Sequence, residues 1–582
     1  VSIREEALKL IRGENGEDSL SPFPVIETIL KHKNRGLNRE LIQFIEWSNW
    51  GNIILKSDKL TSLILLRMID DIFSEEERYN DRVSVLDKTI DISSSSSFNS
   101  IRNDAYFNSS MNYFLMENFQ ESFSKAIVGD KFILPNDKNY ADLELLLMML
   151  YIKSGKYKDA EIKGDIIGKI EGLSPDRKYI LNSQQSLIEL NRLSSLKSAT
   201  IADAEQFEEL FSATVALARH DTELLNRKGY RKITELIFDE FINYKMRTGQ
   251  HTDAHYYNEM KKILIGSSKC AINLFKYSSA IDMDAIQETI PADGIYVNIS
   301  KIKNDIFVWA AGKESKKESK SAFIIENGYT KVTKWINEYN LNLDSGKDLT
   351  IVSKELTTIL SQVYMLMKDK GVILISADSD SEKIPFEILG GEKFLSDSSS
   401  IAYIPSLLVT VADSNFFTTE VYLPESDSSA AAYLFKVAIK ESGIKYNTKN
   451  YSKNSIVHLF SKFTYNQNRR NFTFGYSDIR SLANNFTLFV ASSDGLTGVS
   501  ETDFLVFGRD LNIKAALLNS SRVQDINNAI FLEEFYKNFG NGIAVRESFT
   551  LALNKVKKSK YNHPMNWSGY RLNIYDLSIV KD

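Results

Sequence analysis

Residues Ser455–Asp494 open with SIVHLFSKF (Ser455–Phe463), pass through YSDIRSL (Tyr476–Leu482) and close on LFVASSD (Leu488–Asp494). Two short apolar runs, Ile456–Phe460 and Thr487–Ala491, each break into small polar residues. That is how buried parallel strands end at a site. In an open α/β sheet, ligands bind in the crevice outside the carboxyl ends of the strands. Lys462 and Ser493 are therefore expected at two strand ends where catalysis belongs. His458 lies inside the first strand, Phe463 follows Lys462, and Asp494 follows Ser493.

Outward from this stretch the texture alternates between helix and apolar strand. Strands are expected at Gly371–Ala377, Lys514–Asn519 and Tyr570–Ile574. Helices are expected at Tyr329–Tyr339, Ser353–Lys368, Ala430–Ser442, Ser477–Leu482, Ile526–Phe539 and Ala544–Lys557. Such alternation implies a mostly parallel sheet covered by helices. From near Thr289, IPADGIYVNISKI, DIFVWAAG and SAFIIENG read as a strand meander, with the charge run Lys313–Lys320 (KESKKESK) as a solvated hairpin tip.

Residues 1 to about 285 read as helical, with apolar residues recurring at i, i+3, i+4 and i+7. A local pattern returns three times. LMMLYIKSGKYKDAE (Leu147–Glu161) carries Gly155 at a turn and Ala160 five positions later. FNSSMNYFLMENFQESF (Phe107–Phe123) has Phe119 and Ser122 in corresponding slots, and FINYKMRTGQHTDAHYY (Phe241–Tyr257) has Gly249 and Ala254. A small residue at such a position lets two antiparallel helices approach closely. The units resemble degenerate tetratricopeptide repeats, whose period is about 34 residues. Stacked helical pairs of this kind leave a concave surface suited to a protein or peptide partner.

Composition narrows the classes. The chain has 582 residues, 43% hydrophobic and 25% charged, with a net charge of -5. That balance offers no electrostatic case for nucleic acid. No apolar run approaches the ~18 residues that span a bilayer. The single cysteine, Cys270, excludes an internal disulfide and a cysteine metal cluster. Scarce cysteine fits the cytosol and equally an exported protein. The chain starts at Val1, and VSIREEALKLIRG reads as an amphipathic charged helix, not a signal peptide. His251 and His255, at i and i+4, are spaced to share a metal but lack a third ligand. No cofactor and no metal are expected. The run Ser93–Ser97 reads as a polar loop.

Taken together and in order, several segments resemble the CHAT domain, a caspase-like module often fused to tetratricopeptide repeats. They are Ile290–Val297, Val372–Leu389 with its Pro385-Phe386 turn, Phe394–Leu407, Val457–Lys462, Tyr476–Gly498, Leu511–Tyr536 and His563–Leu572. The resemblance covers about Ala285 to Tyr575. It implies a helical repeat domain over 1–285 and a caspase-like α/β domain over 286–582, whose first lobe is 286–410 and second lobe 411–582. It also implies the chemistry of a cysteine endopeptidase, with a histidine base at one strand end and a cysteine nucleophile at the next.

The chain departs from that pattern where the chemistry sits. The family's catalytic histidine, in its "THG" triplet, falls on Lys462, and the glycine after it on Phe463. The catalytic cysteine, in "SAC", falls on Ser493. His458 matches an earlier, non-catalytic histidine, and Asp494 reads as a turn or cap residue. Positions that serve the scaffold still fit, among them Pro385, Pro405, Asp478, Asp525, Phe535, Tyr536, Pro564 and Trp567. A serine without a base is a poor nucleophile, and a lysine near its reference pKa of ~10.4 is no base at pH 7. Two readings are open. One is a non-catalytic interaction or scaffold protein whose helical repeats hold a partner. The other is a hydrolase using a Ser493–Lys462 dyad, which requires burial to depress the lysine pKa.

Overall fold

The computed structural model describes residues 22–33, 38–47, 50–75, 78–94, 98–195, 228–266, 290–314, 317–378, 380–404, 406, 420–422, 439, 445–447, 455–459, 463–466, 471–474, 477–478, 486–491, 514–519, 525–560 and 562–574. The chain divides into two compact units, Val1–Ile237 and Phe238–Asp582.

In the first unit the described elements are all helices. They are α1 (Pro22–Lys33), α2 (Asn38–Trp47), α3 (Trp50–Lys56), α4 (Lys59–Glu75), α5 (Tyr79–Ile92), α6 (Asn99–Leu115), α7 (Phe119–Asp130), α8 (Tyr140–Lys153), α9 (Tyr157–Gly168), α10 (Pro175–Ser195) and the first part of α11 (Lys228–Arg247). Helices α4, α6, α8 and α10 start at Lys59, Asn99, Tyr140 and Pro175, a repeat of 35 to 41 residues. Tight turns make the pairs. Gly155, between α8 and α9, has φ +70°, a conformation open to glycine without the Cβ penalty. Small residues make the close approaches. Ser110 Oγ donates to Ser122 O at 2.8 Å and Ser122 Oγ to Ser110 O at 2.8 Å, stitching α6 to α7. A Cβ on Gly129 would lie 3.3 Å from Tyr106 Cβ.

Helix α8, LELLLMMLYI at its centre, is buried nearly all round, as a core helix must be. Polar contacts tie successive pairs about one repeat apart in sequence, and Lys163–Glu144 ties α9 to α8 within a pair. Asn103 bonds Asp137 at 3.0 Å, Lys163 bonds Asp130 at 3.2 Å and Glu144, and Arg177 makes a two-pronged contact with Asp142 at 2.9 and 2.8 Å. Deeper in, Arg82 of α5 grips Asp70 of α4 at 2.6 and 3.1 Å, with side chains exposed to only 8% and 6%. Removing one member of such a pair strands the other charge in the core. Arg82→Met is expected to cost the first unit about 3–5 kcal/mol, and Arg82→Met with Asp70→Leu to recover much of it. Calorimetric unfolding of the three proteins checks this.

The second unit holds the rest of α11, then α12 (His251–Gly266), β1 (Gly294–Ile302), β2 (Asp305–Glu314), β3 (Lys317–Ile325), α13 (Gly328–Asp344), α14 (Thr350–Ile359), α15 (Ser361–Met367), β4 (Val372–Ala377) and β5 (Ser400–Tyr403). It continues through β6 (Glu420–Tyr422), β7 (Lys445–Asn447), β8 (Ser455–Leu459), β9 (Phe463–Asn466), β10 (Asn471–Phe474), β11 (Ser477–Asp478), β12 (Phe486–Ala491) and β13 (Ala515–Asn519). It ends with α16 (Asp525–Gly540), α17 (Val545–Lys557) and β14 (Tyr570–Ile574). Among the described residues, eleven strands form one sheet in the order β3-β2-β1-β4-β5-β14-β13-β12-β8-β6-β7. Seven of its ten neighbouring pairs are parallel. The antiparallel ones are β1–β2, β2–β3 and β13–β14. The protein is thus a helical region followed by an α/β domain with a mostly parallel sheet.

Strands β1 and β4 are buried almost end to end, which explains the apolar run of β4, while β1 interleaves the polar residues Asn298 and Ser300 with its apolar ones. Helix α16 covers β14 through Phe531, which stacks on Tyr570 at 4.0 Å between ring centres. The β2–β3 ladder runs out to the pair Glu314↔Lys317, so the KESKKESK run straddles a hairpin. Two expected helices differ from those observed. Ser353–Lys368 is broken at Leu360 into α14 and α15. Ser477 and Asp478, expected to begin a helix, instead pair with Phe474 and Thr473 as strand β11. The expected helix Ala430–Ser442 lies, but for residue 439, outside the described residues.

Candidate functional site

The backbone brings the two predicted strand ends together. Strands β8 and β12 are parallel neighbours, with His458 opposite Val490 and Leu459 opposite Ala491. Their carboxyl ends are therefore level. Lys462 comes three residues after Leu459 and Ser493 two residues after Ala491. Lys462, Ser493 and Asp494 lie outside the described residues. His458 is placed within β8, and Phe463 opens β9 opposite Phe474 in a separate three-stranded antiparallel sheet. The chain thus changes sheets between Leu459 and Phe463, and Lys462 is the last position before the new strand.

The order of the strands gives this edge its meaning. Strands β7-β6-β8-β12-β13 are all parallel. The chain lays β7 on one side of β6 and β8 on the other. Connections that leave in opposite directions open a crevice at that switch point, at the carboxyl ends of the strands. Strand β8 borders the crevice, and β12 is next in line. Strand β14 runs parallel to β5 and antiparallel to β13. The strands β1, β4 and β5 therefore run opposite to β8 and β12, and their carboxyl ends lie at the other edge of the sheet.

No protein-family profile matches the chain, and no curated protein matches it. Among solved structures it is similar to a chain of the Saccharomyces cerevisiae separase–securin complex, at 10% sequence identity and a TM-score of 0.42. The match covers 98% of this chain and 55% of that one, so the present chain spans about half of that chain's length.

A second chemical centre, unforeseen in the sequence, lies where α12 meets β1 and β4. Asn298 of β1 is its hub. Asn298 Oδ1 accepts from Lys262 Nζ at 2.8 Å and from Asn258 Nδ2 at 3.2 Å. Asn298 Nδ2 donates to His255 Nε2 at 2.9 Å and to Glu259 Oε1. Lys262 donates its other two protons to Glu259 Oε1 at 3.0 Å and Ser376 Oγ at 2.9 Å. Asn258 also donates to Ser300 Oγ at 2.9 Å, and the Ser406 hydroxyl bonds Glu259. Every one of these side chains is buried.

Burial sets the protonation states. It pushes the His255 imidazole down to about 4, against the pull of Glu259. Burial alone would raise Glu259, but the Lys262 ammonium and its hydrogen bonds hold the carboxyl below its ordinary range. The Tyr296 phenol is driven up by burial. The centre therefore holds one ammonium, one carboxylate and a neutral imidazole, all enclosed.

The i, i+4 spacing of His251 and His255 does not bring the two side chains to one site. His251 is exposed and its carbonyl accepts from Trp309 Nε1 at 3.1 Å, while His255 turns into the sheet and stacks on the Trp309 ring. Among the described residues no group of three side chains is placed to hold a metal ion, and no helix is long and apolar enough to cross a membrane. A signal for the centre was present in the sequence. YVNIS (Tyr296–Ser300) sets polar groups at alternate positions within an apolar strand, and His255, Glu259 and Lys262 fall at i, i+4 and i+7. Each pattern alone reads as a solvated face, and only their meeting makes a buried one.

Lys262→Met removes the ammonium and leaves Glu259 an uncompensated buried charge. A loss of about 3–5 kcal/mol is expected, with partial recovery in Lys262→Met combined with Glu259→Leu. Urea unfolding of the full chain, together with hydrogen exchange in α12 and β1, measures it.

Proposed function

We propose that this chain is a non-catalytic CHAT pseudo-protease that serves as a protein-interaction or scaffold protein. Its helical repeats, read as tetratricopeptide-like, hold a protein or peptide partner. The observation that carries the reading is the level pairing of β8 and β12 beside a switch point, taken with the residue types that come after those strand ends. A cysteine-peptidase centre needs a base after one strand and a thiolate after the other. Lys462 and Ser493 stand in those places, and Phe463 replaces a glycine whose backbone would approach the reacting carbonyl. The frame for a dyad is kept, and the residues that would run it are exchanged. The one cysteine, Cys270, falls before the resembling segment.

The second reading is a hydrolase in which Lys462, stripped of its proton by burial, activates Ser493. The two separate cleanly with a fluorophosphonate probe on the full chain. The scaffold reading expects no labelling of Ser493, and partner capture by a Ser493→Ala chain equal to that of the wild type. Covalent labelling at Ser493 that disappears in Lys462→Ala would establish the hydrolase instead. Peptide mapping by mass spectrometry locates the adduct.

A further inference from the structure

The hub at Asn298 has a direction built into it. Its Oδ1 faces two donors, Lys262 Nζ and Asn258 Nδ2, so the amide cannot turn over without setting donor against donor. Its Nδ2 is thereby aimed at His255 Nε2 and at Glu259, with the Tyr296 hydroxyl a third neighbour at 3.1 Å. His255 Nε2 must accept, and its proton must sit on Nδ1. A proton added at Nε2 would confront the Asn298 N–H across 2.9 Å. His255 is 1% exposed and lies in the middle of the contact, so it cannot take up a proton from water without α12 moving.

We propose that the contact between α12 and the sheet is an acid-release latch, in which protonation of His255 breaks the Asn298 hub and frees α12 from the face of β1 and β4. The groups around His255 support one direction only. On its own helix stand Glu259 and Lys262, already paired with each other at 3.0 Å. From β1 comes the Tyr296 phenol, 3.4 Å from Nε2. From β2 comes the Trp309 ring and from β4 Ser376, neither of which ionises here. Charges on the hairpin partner α11 are engaged elsewhere, Asp239 with Lys261 at 2.7 Å and Lys245 with Gln250. Among these neighbours Glu259 is the carboxylate near enough to welcome an imidazolium, and it already carries the Lys262 ammonium.

Linkage fixes the sign. A base whose pKa is lower in the closed state than in the released one takes up a proton on release. The latch is complete above about pH 6.5, the ordinary value for histidine, and its stability drains as pH falls toward about 4. Between pH 7.5 and pH 5 the opening constant of α12 is expected to rise about thirtyfold.

Hydrogen exchange of the full chain, corrected for the intrinsic pH dependence of exchange, reads this directly. Peptides covering α12 should lose protection about thirtyfold over that range, while those from α8 keep theirs. In His255→Gln the amide oxygen accepts from Asn298 without titrating, and the α12 response should become flat. A wild-type α12 whose protection is unchanged at pH 5, or a His255→Gln chain with the wild-type pH profile, would overturn the proposal. Should that variant fail to fold, nitrogen-15 histidine spectra of the wild type still decide. Nε2 should remain unprotonated until α12 protection falls, and a proton gained near pH 6.5 with α12 still protected refutes the latch.

Discussion

A polar group removed from water must find a partner inside the protein, and this constraint governs how the second unit is assembled. Strand β1 carries Tyr296, Asn298 and Ser300 at alternate positions, on one face of the sheet and buried. An ordinary amphipathic helix could not cover that face. Helix α12 can, because His255, Asn258, Glu259 and Lys262 lie along one of its sides, Asn258 and Lys262 donating to the Asn298 oxygen while His255 and Glu259 face its nitrogen beside the Tyr296 hydroxyl. Partial satisfaction would cost more than an apolar core, so the network either closes or fails as a whole. The Oδ1 of Asn258 is the exception within it, buried without a partner among the described residues.

Direction also shapes the sheet. A strand pair that turns antiparallel at β13–β14 lets two sets of parallel strands share one sheet while pointing opposite ways. Each set then has its own carboxyl edge. At one edge the ends of β8 and β12 lie level beside a switch point. At the other, Asp378 follows β4 and accepts from the Lys301 and Ser381 amides at 2.8 Å each, which closes the chain tightly over that end. The proposed loss of catalysis concerns only the first edge.

Much of this was legible in the residues alone, for physical reasons that differ between the parts. Strands such as Val372–Ala377 are buried on both faces, so their apolar runs announce them. Gly155 marks its turn because the backbone there is left-handed. Ser477–Asp478 misled because a short polar-apolar segment fits either period, and the neighbouring strand β10 settles the choice by pairing. The break at Leu360 was hidden because α14 and α15 share one continuous helical pattern.

The sequence by itself determined the order of helical region and sheet, the positions of the two strand ends, and the residue types that come after them. Those are local matters of periodicity and chemistry, carried within each segment. Only the tertiary structure decided that β8 and β12 are neighbours in register and that β14 reverses the sheet. It alone decided that α12, helical in pattern like the repeats before it, belongs against the sheet. Pairing and burial are relations between distant residues, and His255 and Asn298 acquire their roles only when forty-three positions of chain fold to bring them within a hydrogen bond.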